Sequence, residues 1–529
     1  MNDEFDTRTE AEPPGPGIDA LSATEQALVE GSETWVDDHA EALVDLLSEI
    51  VACESITGQE GTHKNKNSAV GRLYAYQDDA ARGTDIEIST QPISSEYDYI
   101  EPQRENIYAV LPGRDSGGLI TTSHTDIVPT GGTTGWPGDD PLSISEGRVH
   151  WQGGTTIEIE TDDQTFEREI RSEMARVWES RENESADVLI GRGAYDNKAS
   201  SVCIAGAVTA LGVATDSIGA QLGGDLITAH LVDEEVYQLG VKEFVGWRGA
   251  NNWLGDRYRD RTQSLDGFAA VVLEGSYGFV PVVGHRGLIW AELEASGAAV
   301  HASTPDIGRN AVVGLAKAVA AADDPDEHGQ LAALFAPDDL LGSFTIASGT
   351  TIVSGGIDSI NSDNREVERS GLNAVPDWAE ATFDLRIPRW EGYPEGVDIL
   401  TEHVCDRLEA TASTVAPAID FRANIPDHGY FPPVALAPDH ESARDHPLVK
   451  TACHVANETL GYKPGIEVAP GVTDAAFLAH GTDIPTLVEY GPAGGLSHET
   501  LEFVERDQLL AGTKAMIRLA VRYLGAEGQ

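Results

Sequence analysis

Basic residues are scarce in this chain. Its 529 residues include 35 lysines and arginines against 88 aspartates and glutamates, which gives a formal net charge of −53. Because this acid excess runs along the whole chain and would repel phosphates, we exclude nucleic acid as a partner. Acidic surfaces with little lysine are typical of proteins from a salt-rich cytoplasm, where bulk salt screens repulsion between like charges. We therefore predict a halophilic protein.

Cysteine and long apolar runs are scarce as well. The four cysteines form no CxxC pair, which favours buried free thiols in a reducing cytosol; they are Cys53, Cys203, Cys405 and Cys453. No apolar run approaches the length that spans a bilayer, and the N-terminus is acidic and Pro-rich rather than basic and then apolar. We expect a soluble cytoplasmic protein without a membrane partner.

The chain is predicted to contain an acidic tail and two domains. Residues 1–22 are acidic and Pro-rich, as solvated tails are. Strands alternate with helices over 23–283 and again over 440–529, which favours one α/β domain with a mostly parallel sheet. Because 529 residues are too many for one ordinary core, residues 284–439 are predicted to be a separate inserted domain.

The inserted segment has the β-α-β-β-α-β order of a ferredoxin-like α+β domain. Its strands are predicted at 288–295, 345–353, 379–387 and 419–423, and its helices at 310–322 and 397–412.

Two segments of the large domain carry further predictions. The apolar positions of residues 24–52 recur at helical spacing and predict one long helix. Residues 150–187 are charged and alternate poorly between polar and apolar positions, so we predict a surface insertion there.

Five acidic or imidazole clusters, most of them following a Val/Ile/Leu-rich segment, lie far apart in the sequence. They are Ser123-His124-Thr125-Asp126, Gly193-Ala194-Tyr195-Asp196-Asn197, Asp233-Glu234-Glu235, Leu273-Glu274-Gly275 and Leu496-Ser497-His498-Glu499. In parallel α/β sheets ligands gather beyond the carboxyl ends of the strands, so we expect the clusters to meet at that edge. Two imidazoles and three carboxylates, with two more carboxylates beside them, suit a pair of divalent cations and a water between them.

The order of these motifs resembles the M20 family of metallopeptidases and amidohydrolases. The order is H-x-D at 124–126, G-x-x-D-N-K at 193–198, D-E-E at 233–235, L-E-G at 273–275, A-V-H-A-S at 299–303 and G-x-x-H-E at 495–499. Carboxypeptidase G, succinyl-diaminopimelate desuccinylase, acetylornithine deacetylase and dipeptidases belong to this family. The context Ser55-Ile56-Thr57-Gly58 is similar to its arginine-utilisation branch. The resemblance implies a di-metal hydrolase domain with an inserted lid and dimerisation domain.

The resemblance also implies the metal ligands. Asp196 would bridge both ions, and the other ligands would be His124, Glu235, Glu274 and His498. Oxygen and imidazole ligands around two ions fit zinc best, with cobalt or manganese able to substitute. A cis peptide after Asp196 is implied too. From the residues alone, Asp196 could instead cap the helix that starts near Ala199, and Tyr195 before it departs from the family pattern.

Two further carboxylates receive roles by the same resemblance. Asp126 would accept the second ring N–H of His124 and orient it. Glu234 would be the general base, which takes a proton from the metal-bridging water and passes it to the leaving amine. An acidic surface loop at 233–235 is the alternative.

Three residues of the inserted domain resemble groups that contact the substrate. His301 would polarise the scissile carbonyl, in its own subunit or in a neighbouring one. Asn373 and Arg386 would hold a substrate carboxylate, for which the planar guanidinium is suited. A locally packed histidine and a salt bridge within the lid are the respective alternatives for His301 and Arg386.

The implied activity is metal-dependent hydrolysis of the amide bond of a small N-acyl amino acid or short peptide with a free carboxylate. A homodimer formed through the inserted domain is implied as well. A di-zinc aminopeptidase, which needs a free amino terminus, and a non-catalytic descendant that binds small acids are the alternatives.

Overall fold

The computed structural model describes most of the chain. The described residues are 19–93, 104–162, 164–179, 181, 184–258, 265, 267–324, 329–354, 357–360, 367–369, 373–390 and 397–528. Most of the predicted acidic tail, residues 1–18, lies outside them. Ser22, at its end, caps the first helix through a capping box with Glu25.

The described chain up to residue 285 forms the elements α1–α7 and β1–β11. The helices are α1 (Ala23–Asp38), α2 (Ala40–Val51), α3 (Ala69–Ala81), α4 (Ser172–Glu179), α5 (Ala199–Ile218), α6 (Leu239–Val245) and α7 (Trp253–Tyr258). The strands are β1 (Glu87–Pro92), β2 (Glu105–Leu111), β3 (Gly118–His124), β4 (Ser145–Gly153), β5 (Thr156–Glu160), β6 (Thr165–Glu169), β7 (Ser185–Ile190), β8 (Ala220–Leu222), β9 (Asp225–Leu231), β10 (Phe268–Val272) and β11 (Val282–His285).

The remaining described residues form α8–α14 and β12–β24. The helices are α8 (Ala311–Asp323), α9 (Gly329–Ala332), α10 (Val397–Val415), α11 (His440–Asp445), α12 (Pro447–Leu460), α13 (Ala475–Thr482) and α14 (Arg506–Leu524). The strands are β12 (Gly287–Ser296), β13 (Thr345–Ser354), β14 (Ile357–Ile360), β15 (Val367–Arg369), β16 (Trp378–Ile387), β17 (Asp420–Asn424), β18 (Tyr430–Phe431), β19 (Val434–Ala435), β20 (Glu467–Ala469), β21 (Thr486–Leu487), β22 (Gly494–Gly495), β23 (Phe503–Glu505) and β24 (Ala526–Gly528).

The chain divides into two compact units. The large unit comprises residues 1–283, 440–469 and 473–529, and the small unit comprises 284–439 and 470–472. The small unit is thus inserted in sequence between two segments of the large one.

A six-stranded mixed sheet with parallel central strands is the centre of the large unit. Its strand order is β1-β2-β9-β3-β10-β21. Strands β9, β3, β10 and β21 are parallel, whereas β1 and β2 pair antiparallel. All residues of β2, β3, β9 and β10 are buried. Such continuous burial explains their near-unbroken apolar sequences and agrees with the predicted α/β class.

Helix α5 is apolar around most of its circumference because it is a core helix. It packs against α1 and α14 and against strand β3. Contrary to the expectation from the sequence that no apolar run approaches this length, the segment Ala194–Ile218 is long and apolar enough to cross a membrane, but most of it is buried inside the fold. A helix that is hydrophobic all round is buried in a core or in a membrane, and here the protein itself covers it.

A second six-stranded sheet, with the order β22-β23-β7-β4-β5-β6, corrects the prediction of a surface insertion at 150–187. All of its pairings are antiparallel. Alternate residues of β5 point inward, and Ile157 and Ile159 are fully buried with Trp178 of α4 in a core of their own. Thr156, Glu158 and Glu160 occupy the other face of β5, so a period-two pattern is present at 156–160 and was missed in the sequence.

Residues 24–52 form two helices rather than the predicted single one. The break lies at His39, whose ring stacks on Trp35 with the ring centroids 4.1 Å apart. The His39 Nδ1 also lies 2.8 Å from the Trp35 carbonyl oxygen. The backbone of His39 itself is not helical, with φ −113° and ψ 17°, so the chain leaves helical geometry at this one residue.

The small unit has the predicted ferredoxin-like fold. Its sheet order β13-β16-β12-β17 is antiparallel throughout. Helices α8 and α10 pack against each other and share one core with the inner face of the sheet. The strict alternation of buried and half-buried residues along β16 is the pattern of a sheet with one covered face.

Candidate metal centre

Three of the five clusters follow neighbouring parallel strands of the mixed sheet. His124 is the last residue of β3, Asp233-Glu234-Glu235 follows β9, and Glu274 follows β10. In the β3–β9 register, His124 lies opposite Leu231. Because the carboxyl ends of parallel strands share one edge, these polar residues meet there as predicted.

The other two clusters come from the second sheet, which the sequence did not predict. Asp196 lies in an irregular turn between β7 and α5, and His498 follows β22. Both β7 and β22 pair with β23. The antiparallel sheet therefore supplies one side of the site and the parallel strands supply the other.

His124 faces two carboxylates with one ring nitrogen. Its Nε2 lies 3.1 Å from Asp196 Oδ1 and 3.5 Å from Glu274 Oε2. Its Nδ1 lies 3.3 Å from Asp126 Oδ1 and 3.1 Å from the Asp126 carbonyl oxygen. Burial opposes a charge on the ring, but Glu274, Asp126 and Asp196 hold the pKa of His124 well above its usual range.

Asp196 turns its two carboxylate oxygens towards two different histidines. Its Oδ1 faces His124, and its Oδ2 lies 3.3 Å from His498 Nε2. The backbone N–H groups of Tyr195 and Asp196 donate to Glu502 Oε1 at 3.1 and 2.9 Å. The peptide bond between Asp196 and Asn197 is cis, as the family resemblance implies.

Glu235 and His498 form the second group around Asp196. His498 Nε2 lies 3.0 Å from Glu235 Oε2. Its hydrogen bonds to Asp196 and Glu235 raise the pKa of His498 to about 10. Ligand atoms of His124, Asp196 and Glu235 all lie within 4.8 Å of one another, which is close enough for one ion.

The donor set fits divalent cations. Oε1 of Glu235 and Oε1 of Glu274 are buried and have no hydrogen-bond partner among the described residues. Burial, with Asp196 nearby, raises the pKa of Glu235 to about 7, and burial also raises the pKa of Glu274. Carboxylates packed this closely stay ionised only beside positive charge. Cations would supply that charge and would satisfy the orphaned oxygens.

Asp126 connects the parts of this centre. Its Oδ1 accepts a hydrogen bond from the backbone N–H of Glu234 and its Oδ2 one from that of Glu235, both at 3.1 Å. Oδ2 also accepts from the Thr57 hydroxyl at 2.8 Å. Although burial opposes ionisation, these bonds and His124 lower the pKa of Asp126. An ionised Asp126 orients His124 and fixes the backbone of both glutamates.

Glu234 lies beside the centre. Its Oε1 accepts a hydrogen bond from Gln238 Nε2 at 2.9 Å. Burial, together with Glu274, Asp474 and Glu235, holds the pKa of Glu234 well above its usual range, against the opposing effect of His124. A carboxylate with a raised pKa is a stronger base than an ordinary glutamate, which suits acceptance and return of a proton.

Several buried groups that were not predicted from the sequence support the site. Arg192 Nη1 lies 2.6 Å from Oε2 of Glu502, whose other oxygen accepts the hydrogen bond from the Asp196 backbone N–H. Arg104, buried, donates to Asp233 Oδ1 at 2.7 Å and thereby holds the loop before Glu234. Burial, together with Glu274, holds the pKa of Asp474 well above its usual range, against the opposing effect of His124. Asp474 follows β20 and starts α13, so the polar-after-strand pattern was present in the sequence.

The three remaining predicted residues lie in the small unit. His301 is exposed, with its Nδ1 2.8 Å from the Ser303 hydroxyl. The Asn373 carbonyl oxygen accepts a hydrogen bond from the Ala302 backbone N–H at 2.7 Å, so Asn373 lies in the segment beside His301. Arg386 forms a bidentate ion pair with Asp384. Its Nε lies 2.6 Å from Asp384 Oδ1, and its Nη2 lies 3.0 Å from Asp384 Oδ2.

Comparison with known proteins identifies the family. The model of peptidase family M20/M25/M40 matches residues 170–522. The chain belongs to this family. It is therefore a metal-binding hydrolase that acts on amide bonds, and the resemblance stated from the motifs is confirmed.

Individual relatives within the family are distant. A succinyl-diaminopimelate desuccinylase of Methylorubrum extorquens is 25% identical over 464 residues, which cover 87% of this chain and 93% of that protein. Human carnosine dipeptidase 1 has a similar fold, with a TM-score of 0.58 and 16% identity, covering 96% of this chain and 100% of that chain. A Bacillus subtilis protein described as a dinuclear metal-binding M20 peptidase has a TM-score of 0.53 and 13% identity, covering 92% and 99%.

Proposed function

We propose that this M20 protein hydrolyses the amide bond of small N-acyl amino acids or short peptides with a free carboxylate, using two divalent metal ions. The observation that carries the proposal is the arrangement around Asp196. Its two oxygens face two different histidines, at 3.1 and 3.3 Å, with a separate glutamate on each side. One carboxylate shared between two half-sites is what a binuclear centre requires.

Each half-site has one imidazole and one terminal carboxylate. His124 and Glu274 would hold the first ion, and Glu235 and His498 the second, with Asp196 common to both. This oxygen and imidazole set fits zinc best, with cobalt or manganese able to substitute. When bound, such ions polarise a carbonyl group and lower the pKa of water to roughly 7.

Glu234 is proposed as the general base. Gln238 Nε2 donates a hydrogen bond to its Oε1, and the raised pKa of the Glu234 carboxyl makes it a stronger base than an ordinary glutamate. Glu234 would take the proton of the attacking water and deliver it to the nitrogen of the leaving amine. The amide C–N bond then breaks to give a carboxylic acid and an amine.

His301, Asn373 and Arg386 are proposed to contact the substrate. His301 is exposed and adjacent in the fold to Asn373, so both can present polar atoms to a ligand. The Arg386 fork already holds Asp384, and a substrate carboxylate would have to share or displace that pair.

A homodimer through the small unit is proposed as well, with His301 reaching the partner's site. Strand β13 is an edge strand without an outer partner among the described residues. Ile352 on β13 and Val313 on α8 are 56% and 51% exposed, so both offer apolar side chains that a partner could cover. Light scattering in molar KCl should give the mass of two chains, and a fully active monomer would contradict a shared site.

A cytoplasmic location and adaptation to high salt complete the proposal. All four cysteines are free thiols in the structure, which suits a reducing compartment. Recovery of the protein mainly outside the cytoplasmic fraction of broken cells, or with its cysteines oxidised, would contradict this location.

The general-base assignment can be tested directly. After loading with zinc, the protein should release amine from a panel of N-acyl amino acids, and Glu234→Gln should lower kcat by about 10²–10⁴. Glu146→Gln, on the exposed side of β4, is the matched control and should keep full activity. Undiminished turnover by Glu234→Gln would refute the assignment.

The same panel separates the alternatives. Cleavage restricted to peptides with a free amino terminus would indicate an aminopeptidase. Failure to bind zinc in molar KCl would indicate a non-catalytic descendant.

A further inference from the structure

The turn that carries Asp196 is bonded to the segment that carries Glu274. Glu274 follows β10, which ends at Val272, so it lies beyond the strand. Its Oε2 lies 3.5 Å from His124 Nε2, whereas its Oε1 has no hydrogen-bond partner among the described residues. The position of this carboxylate therefore depends on the backbone on either side of Glu274.

Tyr195, the residue before Asp196, contacts one side of that backbone. It is the residue that departs from the family pattern of this motif. Its side chain is buried, and its hydroxyl donates a hydrogen bond to the Gly275 carbonyl oxygen at 2.7 Å. A Cβ at Gly275 would lie 2.2 Å from the ring carbons Cε2 and Cζ of Tyr195. Because the backbone of Gly275 is not left-handed, the close approach of the ring is what requires glycine here.

Asn197, the residue after Asp196, contacts the other side. It is fully buried, and its Nδ2 donates a hydrogen bond to the Leu273 carbonyl oxygen at 2.6 Å. The two acceptors flank Glu274, just as the two donors flank Asp196. One hydrogen bond would let the segment rotate about it, whereas two bonds on either side of Glu274 fix both its position and its rotation.

The Tyr195 ring also contacts the strand that leads to the second histidine. A Cβ at Gly494 of β22 would lie 2.4 Å from the ring carbon Cδ2. Strand β22 ends at Gly495, and His498 follows it. The ring therefore packs between the segments that carry Glu274 and His498, which are proposed ligands of different half-sites.

We infer that Tyr195 and Asn197 are positioning residues that set the distance between the Asp196 and Glu274 carboxylates, and thereby the affinity of the centre for metal. These two side chains are called the Tyr195–Asn197 clamp. The inference rests on the proposed binuclear centre and adds the groups that fix its geometry. Altering a residue that orients metal ligands typically lowers metal affinity by about 10–100-fold.

The test removes one hydrogen-bond donor at a time. Tyr195→Phe deletes the hydroxyl and keeps the ring, and Asn197→Ala deletes the side-chain amide. We expect each variant to bind zinc about 10–100-fold more weakly, measured by competition with a chromogenic chelator in molar KCl. The double variant should lose less than the product of the two single losses, because one remaining bond no longer fixes the rotation of the segment.

Tyr490→Phe is the matched control. Tyr490 is fully buried, and its hydroxyl donates to the Ala452 carbonyl oxygen at 2.8 Å, on helix α12, which carries no proposed ligand. Both tyrosine variants should lose similar stability in denaturant unfolding, since each loses one buried hydrogen bond to a backbone carbonyl. Only Tyr195→Phe should lose zinc affinity.

Hydrogen exchange gives a second readout that needs no metal. In the metal-free protein, a peptide that covers residues 273–275 should exchange faster in Tyr195→Phe and Asn197→Ala than in Tyr490→Phe, because a segment that has lost a hydrogen bond opens more often.

The outcomes separate this inference from the proposed function. Unchanged zinc affinity in both clamp variants, equal loss in Tyr195→Phe and Tyr490→Phe, or fully multiplicative losses in the double variant would overturn the clamp. If the unchanged protein binds no zinc, the proposed function fails, and exchange rates at 273–275 that match those of Tyr490→Phe would still overturn the clamp. If zinc binds but no amide is cleaved, the proposed reaction fails while the zinc affinities decide the clamp.

Discussion

At the scale of single residues, Asp126 connects three segments of the candidate metal centre. It contacts His124 and accepts hydrogen bonds from the backbone N–H groups of Glu234 and Glu235. A fourth contact comes from the Thr57 hydroxyl. One buried carboxylate thus fixes a proposed ligand from β3 and two functional residues from the loop after β9. Groups that orient ligands in this way commonly affect metal affinity as much as some ligands do.

We expect Asp126→Asn to reduce zinc affinity by about 10–100-fold. An amide offers only one acceptor oxygen, so the carboxamide cannot serve both backbone N–H groups and His124 at once. Competition with a chromogenic chelator would measure the affinity. Thr57→Val is the milder control, because it removes one hydrogen bond and leaves the carboxylate charged. Equal zinc affinity in Asp126→Asn and the unchanged protein would exclude this positioning role.

At the scale of elements, the charged residues 150–187 belong to the antiparallel sheet that carries two of the proposed ligands. Strand β7 of this sheet leads into the turn that carries Asp196, and β22 leads to His498. Strands β4, β5 and β6 extend the same sheet and enclose their own apolar core. A core beneath these strands stabilises the elements that present two of the five proposed ligands.

We expect Ile159→Ala to destabilise the protein by about 2–5 kcal/mol, the usual cost of truncating a fully buried isoleucine. Glu167→Ala, at an exposed position of the neighbouring β6, is the control and should change stability by no more than about 0.5 kcal/mol. Denaturant unfolding in constant molar KCl measures both. Near-zero effects of both substitutions would mean that the strands contribute nothing to the folded core.

At the scale of the whole molecule, the dominant feature is its charge. A net charge of −53 on 529 residues strains the compact state through self-repulsion. Ion pairs relieve a small part of it, because 35 basic residues cannot match 88 acidic ones. Dissolved salt is the remaining source of screening, with a Debye length of about 3 Å at 1 M.

The melting temperature is therefore expected to rise steadily as KCl increases from low to molar concentration. Sucrose is the control, because it favours burial of surface but screens no charge. Scanning calorimetry of the zinc-loaded protein would follow both series. A melting temperature that does not respond to KCl, or responds equally to sucrose, would defeat the prediction of halophily.

Much of the fold followed from the sequence because its signals are local. Buried strands such as β3, β9 and β10 are short apolar runs. In the small unit, apolar residues alternate along the strands and recur at helical spacing along the helices, which predicts the order of its elements. The proposed metal ligands were assigned because the motifs that carry them resemble those of the M20 family in type and order. The break at His39 was not predictable in this way, since the apolar positions continue at helical spacing across it.

The amino-acid sequence by itself determined the family, the two-part organisation and the identity of the proposed ligands. Only the tertiary structure decided that Asp196 and His498 arrive from a second sheet, and that the charged stretch supplies strands of that sheet. It also decided that Tyr195 and Asn197, on either side of Asp196, bond to the backbone on either side of Glu274. The reason is physical: side-chain type and local periodicity are written along the chain, whereas the meeting of distant segments depends on how whole sheets pack.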